Sequence, residues 1–78
     1  MKKYVLKTIQ YGEYEDTAEH DTLKDLEMDL FNCAMLTSVQ IVEILENGKP
    51  MNRIRKRVLL SIARKDAQEH NCLRKAFF

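Results

Sequence analysis

The chain has 78 residues, 45% of them hydrophobic and 32% charged, which excludes a disordered tail and predicts one small domain, residues 1–78, with a thin core. No apolar run approaches the ~20 residues that a membrane span needs, and the N-terminus lacks a signal-peptide pattern, so we expect a cytoplasmic protein without a membrane role. The net charge of +1 conceals three segments: residues 1–12 carry +3, residues 13–48 carry −9 and residues 49–78 carry +7.

The first predicted element is a strand from Tyr4 to Tyr11, because this segment is rich in β-branched and aromatic residues. Lys7 lies among its alternating apolar positions, and a lysine there discourages further pairing. We therefore expect a strand that is covered on one side and lies near the edge of its sheet. The acidic stretch from Glu13 to Asp21 offers few core residues, and it is predicted to be a loop or an extension of this strand.

An amphipathic helix is predicted from Leu23 to Met35, with acidic residues on its outer face. Thr22 is a suitable N-cap, and Asp25 follows three residues later in a pattern close to a capping box. The apolar stripe of this helix consists of Leu23, Leu26, Leu30 and Cys33. Because Cys33 lies inside an apolar stripe on an acidic helix, we expect the pKa of its thiol to be raised rather than lowered.

Residues 38–47 can be interpreted in two ways. The β-branched run 39–46 ends at Asn47 and Gly48, a strong signal for a hairpin turn, and we favour a strand here. The predicted facing pairs of that hairpin are Ile44 with Met51 and Ile41 with Ile54. The alternative is a short helix that is capped by Ser38 and ends at Gly48.

The last predicted element is a helix from Arg53 to Phe78, for which Asn52 is a good N-cap. Its predicted apolar stripe consists of Leu59, Ile62, Ala63, Ala67, His70, Leu73 and Phe77. Basic residues crowd its first turn, where the helix dipole disfavours positive charge. This placement implies that a negative partner, inside or outside the molecule, compensates the bases.

These elements predict a small α+β domain in the order strand, helix, hairpin, helix. The alternative is a mainly α-helical fold with one extended N-terminal strand that pairs between subunits. In either arrangement the thin core favours a homodimer or a partner protein.

A basic cluster at the start of the last helix is the strongest candidate for a contact site. It consists of Arg53, Arg55, Lys56 and Arg57, extended by Arg64. The cluster can neutralise the acids between Glu13 and Asp29 within the fold, or it can contact the phosphates of a nucleic acid. Phe77 and Phe78 complete the candidate partner-binding residues, because terminal aromatic side chains can serve as anchors in a neighbouring protein.

No catalytic, metal-binding or cofactor-binding motif stands out. The two cysteines, Cys33 and Cys72, are expected to be free thiols in a reducing compartment. His70 and Cys72 would point about 200° apart on a helix and lack the ligand spacing of zinc sites. A chain of this length rarely forms an enclosed pocket of about 300 Å³. We therefore expect no cofactor, no metal and no enzymatic activity.

In its compactness, its lysine-led first strand and its Asn-Gly turn, the chain resembles small accessory proteins encoded by phages and other mobile elements. The thin core, the segregated charge, the terminal aromatic residues and the absence of a catalytic motif favour a non-enzymatic protein–protein interaction module that regulates or inhibits a larger partner. The alternative function is a nucleic-acid-associated regulator that uses the basic start of the last helix.

Overall fold

The structure is a computed structural model that describes residues 2–36 and 38–77, with the backbone alone for residues 71–77. It is an α+β fold, as the sequence predicts. The elements in chain order are β1 (Tyr4–Gln10), β2 (Tyr14–His20), α1 (Leu23–Met35), β3 (Val39–Glu46), β4 (Lys49–Pro50) and α2 (Arg53–Phe77). The bounds of α1 agree with the prediction, and residues 39–46 form a strand rather than a helix.

The four strands form one antiparallel sheet in the order β2-β1-β3-β4. The expectation of a loop or strand extension at Glu13–Asp21 is therefore wrong, because seven residues of this stretch pair with β1 as a separate strand. The expected edge position of β1 is also wrong. Lys7 does not protect an edge but lies opposite Glu43 of β3, with 3.9 Å between its Nζ and the carboxylate.

In each of the two hairpins, the turn that connects the strands contains residues with a left-handed backbone. The first places Tyr11 at φ 56° and Gly12 at φ 70°, and the second places Asn47 at φ 55° and Gly48 at φ 78°. Asparagine and glycine tolerate this conformation, which explains why the second turn was recognisable in the sequence. A tyrosine at positive φ carries no such signal, so the first hairpin was not predicted.

The predicted second hairpin is present, but its second strand has only two residues. The N–H of Met51 donates to the carbonyl of Ile44 at 2.9 Å, which confirms the first predicted facing pair. The second pair is wrong, since Ile54 belongs to α2 and is 72% exposed. Pro50 lacks the N–H that a longer ladder requires, and α2 starts soon after it.

A β-bulge interrupts the pairing of β1 with β3. Lys7 lies opposite Glu43 and Thr8 lies opposite Ile41, so Val42 is the extra residue. The bulge keeps both Ile41 and Ile44 on the sheet face that carries the core. Val42 is half exposed on the other face.

The core lies between one face of the sheet and the two helices. It consists of Tyr4, Leu6, Leu26, Leu30, Ile44, Met51, Leu59 and Ala63. Leu59, Ala63 and Ala67 of the predicted α2 stripe are buried, whereas Ile62 and His70 are exposed. The helix packs mainly on α1, and a helix that contacts one other helix buries only a narrow row. The predicted stripe was therefore too wide.

Candidate interaction surface on helix α2

The start of α2 is fixed by Asn52, whose side-chain Oδ1 accepts hydrogen bonds from the N–H groups of Ile54 at 2.9 Å and Arg55 at 3.2 Å. These bonds satisfy two of the N–H groups that a helix start leaves without partners. The first turn contains no acidic residue. The helix dipole therefore disfavours the basic side chains that follow the cap.

Arg55 is neutralised within the fold. Its Nη1 donates to both carboxylate oxygens of Glu46, at 2.7 and 2.5 Å, and the Glu46 side chain is only 19% exposed. Hydrogen bonding to the Tyr4 side chain, and to a lesser degree Glu46, raises the pKa of Arg55 above its ordinary value. The guanidinium thus stays charged and joins the end of β3 to the first turn of α2. Arg55 was predicted to be a contact residue, but its pairing with Glu46 stabilises the fold.

The remaining bases divide according to their positions around the helix. Arg53, Arg57 and Arg64 are exposed and lie within about 40° of one another at 100° per residue, and we call them the basic row. Lys56 is half buried and lies on a different side of α2. Within the described part of the chain, no acid forms an ion pair with any member of the basic row.

The acids of residues 13–29 do not neutralise these bases, contrary to one interpretation of the sequence. Among the described residues, Asp21 forms an ion pair with Lys2, and the carboxylate of Asp29 contacts the ring of His20. The charge split of the sequence therefore persists in the fold. An acidic β2 lies at one edge of the sheet, and the basic row of α2 faces solvent.

An exposed apolar row runs along α2 opposite its buried residues. It consists of Ile54, Val58 and Ile62, which are 72%, 50% and 51% exposed, and we call it the outer row. Their spacing of four residues places them one above another on the helix. By contrast Leu59, the neighbour of Val58, is 8% exposed in the core. Helix α2 thus presents apolar side chains to both the core and the solvent.

Sequence reasoning missed the outer row because each member was assigned elsewhere or not at all. Ile54 was placed in the hairpin and Ile62 in the buried stripe. The spacing of 54, 58 and 62 was a signal that could have found it, since three β-branched residues at this interval form a second stripe. The basic row borders the outer row on one side. Phe77 and Phe78, the other predicted contact residues, lie outside the residues whose side chains are described.

A second polar cluster connects β2 to α1. Nε2 of His20 lies 2.8 Å from Oδ2 of Asp29, and Sγ of Cys33 donates to Oδ1 of the same carboxylate at 3.8 Å. Burial, and then the charge of Asp29, raise the pKa of the Cys33 thiol from 9.0 to about 11. The direction agrees with the sequence-based expectation. A thiol with this pKa is neutral near pH 7 and is a poor nucleophile.

Among the described residues, no three His, Cys, Asp or Glu side chains converge as they would to hold a metal ion. None of the described helices combines the length and apolar character that crossing a bilayer requires. An open groove of about 390 Å³ lies between α1, β3 and α2. Most of the described residues that line it are apolar, and Gln40 and Arg64 contribute polar side chains.

No known protein family, curated protein or solved structure matches this chain. The functional argument therefore depends on the surfaces described above.

Proposed function

We propose that this protein is a non-enzymatic protein-binding module, a small regulator or inhibitor of a larger partner that it contacts through the outer face of α2. The observation that carries this proposal is the outer row of Ile54, Val58 and Ile62. Apolar side chains aligned on a helix face and flanked by charge are typical of helix-mediated recognition. An apolar centre with a charged border is also the usual anatomy of a binding interface.

The partner surface that fits is apolar at its centre and acidic at its border. Arg57 and Arg64 flank the outer row on one side and have no ion-pair partner among the described residues. Carboxylates on the partner would neutralise them and would accept bidentate hydrogen bonds from their guanidinium groups. Such pairing increases the association rate and selects against basic surfaces.

A second copy of this chain fits that face poorly. If two α2 helices packed antiparallel through their outer rows, the flank that carries Arg57 and Arg64 would meet the same flank of the copy. Like charges at such a border cost free energy and disfavour the pairing. The charge pattern therefore favours a different, acidic protein over self-association through α2.

A photo-cross-linking experiment tests this proposal. A benzophenone amino acid replaces Val58 in one variant and Thr17, an exposed residue of β2, in the matched control. Both variants are expressed in the native host and irradiated, and the cross-linked species are identified by mass spectrometry. We expect one protein cross-linked at position 58 only, retained after nuclease digestion, with the attached peptide rich in acidic and apolar residues. The same species at both positions, or loss of the species with nuclease, would contradict the proposal.

Nucleic-acid binding is the second candidate function, and the basic row favours it. Arg53, Arg57 and Arg64 lie on one flank of α2 and span about 16 Å along its axis. Three phosphate contacts would make the logarithm of the affinity fall with the logarithm of salt concentration with a slope of about −2.7 on duplex DNA. The apolar outer row beside these bases is unsuited to a phosphate backbone, so this candidate ranks second.

Retention on DNA and RNA at low salt tests this second function. The informative variant changes the basic row to glutamine (Arg53→Gln, Arg57→Gln, Arg64→Gln). Its matched control removes three exposed lysines elsewhere (Lys2→Gln, Lys24→Gln, Lys49→Gln) and therefore has the same net charge. If this function holds, only the first variant loses retention. Equal retention by both variants, or no retention of the wild type, would eliminate it.

A further inference from the structure

Strand β3 has an outer edge that is only partly covered. β4 pairs with Leu45 and Glu46 of β3, and Met51 hydrogen-bonds to Ile44. From residue 39 to residue 43, no described residue pairs with the side of β3 that faces away from β1. We call residues 39–43 the β3 edge.

The free backbone groups of the β3 edge can be identified from the hydrogen bonds on either side. The carbonyl of Ser38 accepts from the N–H of Tyr11 and so points toward β1. Because successive residues of a strand alternate in direction, the N–H and C=O groups of Val39 and Ile41 point outward. The β3 edge thus offers two donors and two acceptors. It carries no lysine or proline of the kind that protects an exposed edge.

The groove described above lies beside this edge. Half-buried Val39, Ile41 and Leu60 line it, together with Leu36, which is 52% exposed. Among the described residues that line it, Arg64 alone is charged. A strand added at the β3 edge would therefore bring its side chains into a groove that is already formed and in which apolar residues lie beside Gln40 and Arg64.

We propose that the β3 edge binds a second copy of this chain, with the two β3 strands pairing antiparallel about Gln40. In that register Val39 lies opposite Ile41 of the copy, and Ile41 lies opposite Val39 of the copy. All the outward backbone groups of these residues are then hydrogen-bonded across the two-fold axis. The two grooves meet at the same axis, so Leu36 and Leu60 of each chain cover apolar side chains of the other.

The distribution of charge favours self-association through the β3 edge over the other exposed surfaces. The other long edge, β2, would place Glu15 opposite Glu19 of the copy if it paired antiparallel about Thr17, and like charges directly opposite destabilise a sheet. The outer face of α2 would bring its arginines together. In the register about Gln40, the β3 edge places no like charges opposite each other along the paired strands, and each groove contributes one arginine, Arg64, at its border. This interface does not use the outer row of α2, and Arg64 is the residue that it shares with the border of the proposed partner contact.

A disulfide trap tests the proposed register. Gln40 would face Gln40 of the copy in a non-hydrogen-bonded pair, where the two Cα atoms lie about 4.5 Å apart, within the range that a disulfide spans. We expect Gln40→Cys to form a covalent dimer under mild oxidation and Thr17→Cys, an exposed residue of β2, to remain mostly monomeric. Peptide mapping assigns the bridge to position 40. Equal cross-linking of the two variants would overturn the proposal.

Sedimentation of the unmodified chain provides a second test that needs no introduced cysteine. The wild type should pass from the 9.2 kDa chain to a dimer as its concentration rises from about 5 to 500 μM, a range suited to a weak interface. Leu36→Arg and Val39→Pro should each raise the dimer dissociation constant at least tenfold. Val42→Lys, on the opposite face of the same strand, and Val58→Glu, on α2, should not change it. A wild type that stays monomeric, or a dimer that only Val58→Glu disrupts, would overturn the proposal.

Discussion

Tyr11 has a φ of 56° and is 70% exposed, so its side chain gains little packing in return for a left-handed backbone. This conformation costs a residue other than glycine or asparagine about 1 kcal/mol. We predict that Tyr11→Asn, which recreates the Asn-Gly pair of the second turn, raises the free energy of unfolding by about 0.5–1 kcal/mol. Urea denaturation followed by circular dichroism measures the change.

The reciprocal control for this prediction is Asn47→Tyr. Asn47 has nearly the same φ, 55°, in the other hairpin. The substitution should lower the free energy of unfolding by a similar ~1 kcal/mol. If Tyr11→Asn destabilises the protein, Tyr11 makes contacts that outweigh the backbone strain.

Cys33 gives a prediction about reactivity. With a pKa of about 11 in place of 9.0, its thiolate fraction at pH 8 is about 100-fold below that of an unperturbed thiol, and alkylation should slow accordingly. Asp29→Asn removes the charge of Asp29, the second cause of the raised pKa, but leaves the thiol buried. The variant should therefore be alkylated faster than the wild type but more slowly than an unperturbed thiol. Iodoacetamide labelling resolved by peptide mapping measures this, and a rate equal to that of a free thiol at pH 8 would refute it.

The raised pKa of Cys33 also predicts how the free energy of unfolding changes with pH. The pKa of Cys33 is raised in the folded state, so unfolding releases a proton between pH 9.0 and about 11. The contribution of this thiol to stability is therefore complete below pH 9 and declines as the pH rises toward 11.

At the residue scale, the sequence was informative where the relevant partners lie close along the chain. Thr22 caps α1 by accepting from the N–H of Asp25 at 3.2 Å, three residues away, and Asp29, which contributes to the raised pKa of Cys33, lies four residues before it on the same helix. The contacts of Arg55 with Glu46 and of His20 with Asp29 span nine residues and two elements. Their existence depends on the packing of the whole fold, which no local pattern specifies.

At the scale of the element, α2 is a helix with two apolar faces. Leu59 and Val58 are neighbours in sequence and lie about 100° apart around the helix, so that Leu59 faces the core at 8% exposed and Val58 faces solvent at 50% exposed. We predict that Leu59→Ala lowers the free energy of unfolding by about 2–4 kcal/mol, whereas Val58→Ala changes it by less than about 1 kcal/mol. Thermal or urea denaturation tests both. Equal losses would mean that the outer row is buried against another part of the protein.

The N-terminus of α2 gives a further prediction about stability. Arg53 begins the helix, where its charge opposes the helix dipole. Arg53→Glu should therefore stabilise the fold by about 0.3–1 kcal/mol, whereas Asn52→Ala should destabilise it by about 1 kcal/mol through loss of the cap. Urea titration of both variants measures these changes. A destabilised Arg53→Glu variant would indicate that Arg53 has an acidic partner within the fold.

Helices were easier to predict than strands in this chain. The hydrophobic period of α1 and the cap of α2 are local signals, and both helices begin where the sequence places them. Strand β2 has the sequence Tyr-Glu-Asp-Thr-Ala-Glu-His and contributes little to the core, so its pattern resembles a loop. It forms a strand because β1 offers it a free edge, a tertiary effect that overrides local preference.

For the whole molecule, the sequence predicted the α+β class but not the sheet order. The order β2-β1-β3-β4 places the acidic strand and the partly open β3 edge on opposite sides of β1. The candidate site was predicted in part: the basic row lies within the predicted cluster, but the outer row depends on which face of α2 packs on α1. That choice is a property of the assembled core.

Segregated charge gives the molecule distinct surfaces. The acidic β2 edge disfavours self-pairing, the basic flank of α2 favours acidic surfaces, and the β3 edge is nearly neutral. We therefore propose that self-association and partner binding use separate parts of the molecule. Apart from Arg64, which borders both, substitutions in one surface should leave the other unaffected, since additivity holds for distant sites.

The most direct test of the central proposal is calorimetric titration of the cross-linked partner, once purified, with wild-type protein and three variants. We predict that Val58→Glu weakens binding at least ~30-fold, the loss expected at the centre of an interface. Arg64→Gln should weaken binding less and reduce its salt dependence, while Leu36→Arg, in the groove beside the β3 edge, should leave the intrinsic affinity unchanged. An affinity unaffected by Val58→Glu would contradict the assignment of α2 as the binding surface.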